Sequence, residues 1–240
     1  MLSIDELHEL VVNRRSIRGY DKNRDVPDEM IQRILDCARW APSGGNGQPW
    51  EFIVIRDKSS RDKIADLFLK QQEHKKEMEM AMRGEVKMTG AGFRHAPVHI
   101  LVLGDPRVNE TYPIRTRLDK SESHFFTSLG NATLIIHFAA TSLGLSSQYV
   151  SDASSPYFET MLKAHFDIPE PLKVYHLIPI GYASGTVAPR PRRELSEIVH
   201  SEKYEHEKFR DEKTFKKFVM TASRRGAYGR KTWVEDDVQR

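Results

Sequence analysis

The stretch "ESHFFTSLGNATLIIHFAATSLGL" (residues 122–145) is the most apolar part of the chain. Its spacing predicts a helix from Glu122 to Leu143 that is apolar on more than one face. A helix that is hydrophobic nearly all round belongs at the centre of a fold or in a subunit interface. The other elements lie on either side of it.

Before it, Ser3 and Glu6 form an S-x-x-E capping box, and Leu7, Leu10 and Val11 make an apolar stripe, so residues 3–13 read as a helix. A second helix is expected from Asp28 to Trp40, stopped by Pro42. "APSGGNGQPW" (41–50) is a glycine-rich loop, and "EFIVIR" (51–56) is a strand. Ser59 to Arg83 reads as a charged helix and "APVHILVLG" (96–104) as a buried strand. After the apolar helix come "SSQYVS" (146–151), a short strand or turn, and a small helix near 156–166. "KVYHLIPIGYASG" (173–185) is a strand ending in glycines. Helices near 194–200 and 205–222 and a basic tail, "RRGAYGRKTW", complete the chain. Mixed helices and strands with no internal repeat argue for an α+β or α/β unit.

At 240 residues the chain is long enough for one domain with its own core, or for a subunit completed by a partner. The 37 basic and 34 acidic residues leave a net charge of +3, which does not build a global field for nucleic acid. Cys37 is the single cysteine, so neither an internal disulfide nor a cysteine-based metal site is expected. A reducing, cytoplasmic setting is the expectation. No run reaches the roughly 18 apolar residues of a membrane span, and the start of the chain has no leader pattern.

Local charge is more informative. "RRSIRGYD" (14–21) comes directly after the first helix. In an extended backbone, Arg14, Ser16 and Arg18 project to one side and Arg15 to the other. Two guanidiniums and a hydroxyl suit a phosphate, whose oxygens match the guanidinium fork; a solvated basic patch is the competing reading. Arg190, Arg192 and Arg193 form a second cluster in a loop stiffened by Pro189 and Pro191. Together the two clusters describe a two-sided clamp. In the loop 41–50, Gly44, Gly45 and Gly47 allow close backbone approach to a flat ligand, and Ser43, Asn46 and Gln48 offer donors and acceptors for the edge of a heteroaromatic ring. The histidines are scattered and give no metal motif. Neither G-x-S-x-G nor a GxGxxG after a strand is present.

Five motifs then occur in order: "RRSIRGYD", "WAPSGGNGQPWEFIVI", "HAPVHILV", "SLGNATLIIHFAATSLGLSS" and "IPIGYASG…RPRREL". In that order the chain resembles the nitroreductase family of FMN-dependent flavoproteins over roughly residues 3–200. The resemblance implies an α+β fold with a central, mostly antiparallel sheet flanked by helices, in an intertwined homodimer with FMN at the interface. It assigns Arg14, Arg15, Ser16 and Arg18 to the FMN phosphate and ribityl chain, with Arg190 and Arg192 closing on the same phosphate. Pro42, Ser43, Gly44, Asn46 and Gln48 match the loop that reaches the flavin from the other subunit. Tyr149, Val150 and Ser151 match, by position, the strand beside the flavin N5 edge. The domain is expected to span 1–200, with 201–240 a charged extension packed on the partner. A family residue that touches the flavin ring has no clear counterpart in "RGEVKMTGAGFRH" (83–95).

The activity implied is reduction of FMN by NADH or NADPH, then of a small electron-poor acceptor, a nitroaromatic or a quinone, in a ping-pong cycle. The cofactor carries the difficult chemistry, so no catalytic side chain and no metal are expected. The alternatives are another flavin reaction of the same family (reductive dehalogenation, activated-alkene reduction or flavin cleavage) and a non-enzymatic nucleic-acid module. The last has little net charge to support it.

Overall fold

The computed structural model describes residues 2–83 and 90–222, so part of "RGEVKMTGAGFRH" and the basic tail lie outside the described residues. The chain forms two compact units: Met1–Gln71 with Gly90–Val187, and Gln72–Thr89 with Ala188–Arg240. In chain order the helices are α1 (Ile4–Asn13), α2 (Asp28–Ala38), α3 (Lys58–Arg83), α4 (Ile114–Ser142), α5 (Pro156–Phe166) and α6 (Glu212–Ala222). The strands are β1 (Trp50–Ile55), β2 (Val98–Gly104), β3 (Ser146–Ser147) and β4 (Lys173–Gly181).

The first unit is built on a four-stranded sheet in the order β1-β2-β4-β3. Every pairing is antiparallel. All seven residues of β2 are buried, as its continuous apolar run predicts for a central strand covered on both faces. Side chains alternate across it. Leu101 and Leu103 join Ile64, Phe68, Phe93, Phe158 and Leu162 on one face, beside the first half of α3 and α5. Val98, Ile100 and Val102 join Ile31, Ile34, Ile136 and Ala140 on the other, beneath α2 and α4. Phe158 and Ile136 are fully buried. By area, each such side chain contributes roughly 2–3 kcal/mol. Between β2 and β4 the register slips: Val102 faces His176 and Leu103 faces Val174. Tyr175 is therefore the extra residue of a bulge, and it and His176 both turn to the α4 side.

α4 is the apolar helix that the sequence announces, and it packs on both sheet and loops. It starts eight residues earlier than expected, at Ile114 instead of Glu122, with Lys120 out of helical conformation (φ −156°) inside it. The early turns were illegible because "IRTRLDK" has no buried face: Ile114 and Leu118 are exposed. α1 has the predicted capping box, with Ser3 accepting from Glu6 N–H and Glu6 from Ser3 N–H.

In the second unit two expected helices are corrected. Residues 194–200 form only a short 3-10 turn, Leu195–Glu197, and 205–222 form a turn at His206–Lys208 and then α6. Side chains take the backbone donors that a helix needs. Glu205 Oε1 accepts Ser201 N–H, and His200 Nδ1 accepts Glu205 N–H. α6 begins only where Asp211 caps Thr214 N–H at 2.7 Å.

Candidate functional site

α1 ends at Asn13, and Arg14 leaves it in extended conformation. Two apolar anchors pin the next residues from inside. Ile17 and Tyr20 are buried in the core, and the Tyr20 hydroxyl donates to the carbonyls of Ile17 and Pro179. The backbone pairs as well: Ser16 forms a parallel bridge with Ser147, and Ile17 N–H donates to Ser147 O at 3.1 Å. With Ile17 inward, Ser16 and Arg18 face the other way, as period-two alternation requires. Arg18 Nη1 reaches back to Ser16 O at 3.1 Å. Arg15 has a further role: its guanidinium donates to the carbonyls of Val12 and Arg14, closing the end of α1.

Behind Ser147 lies a cluster of which only Tyr149 stood out in the sequence. His137, on α4, has Nδ1 2.7 Å from Ser147 Oγ. Its ring stacks on Tyr149 at 5.2 Å, and Tyr149 meets His176 edge-on at 4.1 Å. Tyr175 lies 4.0 Å from His176. Burial, then the charge of Arg14, then His176, holds the His137 pKa down to about 4. Burial does the same to His176. Burial pushes the Tyr149 hydroxyl up, with the neighbouring Tyr175 adding to it. At pH 7 these shifts leave His137, His176 and Tyr149 uncharged. The legible signal was His137 itself, one polar ring in the apolar run "LIIHFAA". Val150 pairs with Leu177 through two backbone bonds, while Ser151 opens an exposed turn.

The loop after α2 is fixed to α4 and the residues before it. Asn131 Nδ2 donates to Pro42 O, Gly44 N–H to Ser128 Oγ and the Tyr112 hydroxyl to Gly44 O. Ser43 Oγ accepts Gln48 N–H at 3.1 Å. Gly45, Asn46 and Gln48 all have positive φ, at 57°, 55° and 44°. A left-handed glutamine is strained, and such strain collects at functional loops. At Gly44 an added Cβ would lie 2.7 Å from His124 Nδ1 and 2.8 Å from the Tyr112 hydroxyl. Glycine there lets the loop seat on α4. Ser43 is half-buried, while Asn46 and Gln48 are exposed.

Arg190 and Arg192 stand in the second unit, both exposed, with Arg192 Nη1 donating to Arg190 O at 3.1 Å. The first unit thus seats the basic segment, through Ser16 and Ile17, on Ser147 of β3, and holds the loop of residues 42–48 to α4.

The model of the nitroreductase family matches residues 11–182. A Methanothermobacter thermautotrophicus protein, provisionally named NADH dehydrogenase/NAD(P)H nitroreductase, is 30% identical over 82% of this chain and 86% of its own. The iodotyrosine deiodinase of Hydra vulgaris is 26% identical over 78% of this chain and 69% of its own. The solved structure of an FMN-dependent nitroreductase from Clostridium difficile R20291 superposes with a TM-score of 0.60, at 23% identity, over 81% of this chain and 98% of that one. The family match begins inside α1, three residues before Arg14, and ends one residue past β4, so it spans the seat of Arg14–Arg18 and the loop held by α4: the chain belongs to the nitroreductase family.

Proposed function

We propose that the chain is an FMN-dependent oxidoreductase that uses NADH or NADPH to reduce a small electron-poor aromatic or quinone. The observation that carries this reading is the pairing of Ser16 and Ile17 with Ser147, which fixes a short segment bearing the Ser16 hydroxyl between Arg14 and Arg18. The donor set fits FMN. Guanidiniums and a serine hydroxyl suit its phosphate. Gln148 Oε1 is buried without a hydrogen-bond partner among the described residues, and a ligand with donors of its own answers such a group.

Arg14, Ser16 and Arg18 hold the phosphate and the start of the ribityl chain, with Arg15 adding charge. Arg190 and Arg192, in the second unit, are the further cations that the family resemblance assigns to the phosphate. Tyr149, Val150 and Ser151 line the ring edge. Pro42, Ser43, Gly44, Asn46 and Gln48 serve the site of a second copy. Held by these residues, FMN would supply the hydride and electron transfer between nicotinamide and acceptor. The chain's part is to orient and to supply an electropositive, partly dehydrated setting.

The homodimer reading is supported by apolar surface on the first unit. α1 buries no residue fully and exposes Ile4, Leu7, Val11 and Val12, and α4 exposes Phe126 and Leu134. Patches of this kind mark association surfaces.

The deiodinase match favours a second reading, reductive dehalogenation of a phenolic substrate. Anaerobic stopped-flow with the flavin-loaded protein separates the two. Bleaching of the flavin by NADH or NADPH, with reoxidation by a nitroaromatic or quinone, supports the first. If neither nicotinamide bleaches it while a chemically reduced sample dehalogenates a halophenol, the second reading replaces it.

A further inference from the structure

His137 is buried in α4 with apolar neighbours along the chain, Ile135, Ile136 and Phe138. Buried imidazoles ordinarily find partners for their ring nitrogens. Here Nδ1 meets Ser147 Oγ at 2.7 Å, while Nε2 is buried and has no hydrogen-bond partner among the described residues. Ser147 is the residue on which the basic segment is seated: its backbone holds Ser16 and Ile17, and its hydroxyl holds His137. A single residue therefore joins the imidazole to the anion-binding strand.

We propose that His137 is a positioning residue of the anion site, and that its ring takes up a proton from solvent when a phosphate binds beside Arg14, Ser16 and Arg18. The proposal rests on the flavin reading above. The groups acting on the ring are Arg14 from the basic segment, Ser147 and Tyr149 from the strand after α4, and His176 from β4, with Tyr175 beyond it. Arg14 is the formal charge among them, and it opposes a second cation. A bound phosphate reverses the sign of the local field, which favours the charged ring. The neutral ring can donate from only one nitrogen; the charged ring donates from both, one of them to Ser147 Oγ. Linkage is reciprocal: if phosphate binding favours the proton, the proton tightens phosphate binding.

The test is titration calorimetry of the full-length, flavin-free protein with FMN near pH 6, in buffers of different ionisation enthalpy, beside His137→Gln. The unmodified protein is expected to take up more protons per FMN than the variant, by up to about one. The ratio of the variant's Kd to the unmodified protein's is expected to rise about tenfold between roughly pH 8 and pH 5.5. Riboflavin, which lacks the phosphate, is expected to show neither difference. The comparison cancels the ionisation of FMN's own phosphate. In the unmodified protein, the His137 ring signal tracked by NMR is expected to titrate at a higher pH with FMN than without. That measurement stands even if the variant does not fold. FMN binding with equal proton uptake and an unmoved His137 midpoint overturns the proposal and leaves the flavin reading intact. Failure of both flavins to bind the unmodified protein overturns both.

Discussion

The backbone N–H of Gly44 donates to the Ser128 hydroxyl at 3.2 Å, and that hydroxyl donates in turn to His124 O at 2.6 Å. Ser128 is almost wholly buried. Removing the hydroxyl strands a partly buried N–H, so Ser128→Ala is expected to destabilise the protein by about 1–3 kcal/mol. Urea unfolding measures it, and amide exchange at Gly44 is expected to quicken. Unchanged stability and exchange would show that the loop is held some other way.

Gly44→Ala tests the same seat from the other side. The new methyl group meets both the His124 ring and the Tyr112 hydroxyl. Overpacking of this kind costs about 1–3 kcal/mol. The expected result is a lowered thermal midpoint that Tyr112→Phe partly restores, since the obstructing hydroxyl is then gone.

Much of this arrangement was written in the sequence in a form that short-range physics can read. The continuous apolar run in "ILVL" announced a strand buried on both faces, and the capping box at Ser3 fixed where α1 starts. The basic segment was legible because Arg14, Ser16 and Arg18 alternate with Ile17, whose burial sets which way they face. Other features depended on distant partners. The bulge that turns Tyr175 and His176 together arises from pairing with β2, and nothing in "KVYHL" marks it. The purpose of Gly44 could not be guessed without His124 and Tyr112, both more than sixty residues away. Residues 194–211 carry helix-forming composition, but their side chains bind their own backbone instead.

Acid is expected to unfold the protein early. His99 is fully buried in β2, with Nε2 3.1 Å from Phe93 O, and burial, only partly offset by that carbonyl, lowers its pKa to about 4. The unfolded chain binds the proton near pH 6.5. The unfolded state therefore holds more protons below that pH, and stability falls as pH drops from about 6.5 towards 4. For His99 the loss is on the order of 3 kcal/mol across the window. His137 and His176 act in the same direction. Denaturant midpoints measured from pH 7.5 to 4.5 are expected to decline, and His99→Leu to flatten part of the decline. A flat profile for the unmodified protein contradicts the assignment of buried, neutral imidazoles.

Phe158 packs at the junction of α5, α3 and the sheet, fully buried and 6.4 Å from Phe68. Phe158→Ala is expected to cost about 3–5 kcal/mol by leaving a cavity. Calorimetry measures the loss, and a cost under about 1 kcal/mol would mean that this face of the sheet is loosely packed.

The central claim is that the basic segment on Ser147 holds the phosphate of FMN. Equilibrium binding of FMN to the flavin-free, full-length protein, monitored by quenching of flavin fluorescence, tests it most directly. The expected result is saturable binding that weakens by about 1.5–3 kcal/mol in each of Arg14→Ala and Arg18→Ala, the loss of one charge-assisted bond apiece. Absence of FMN binding, or an affinity that neither substitution changes, contradicts it.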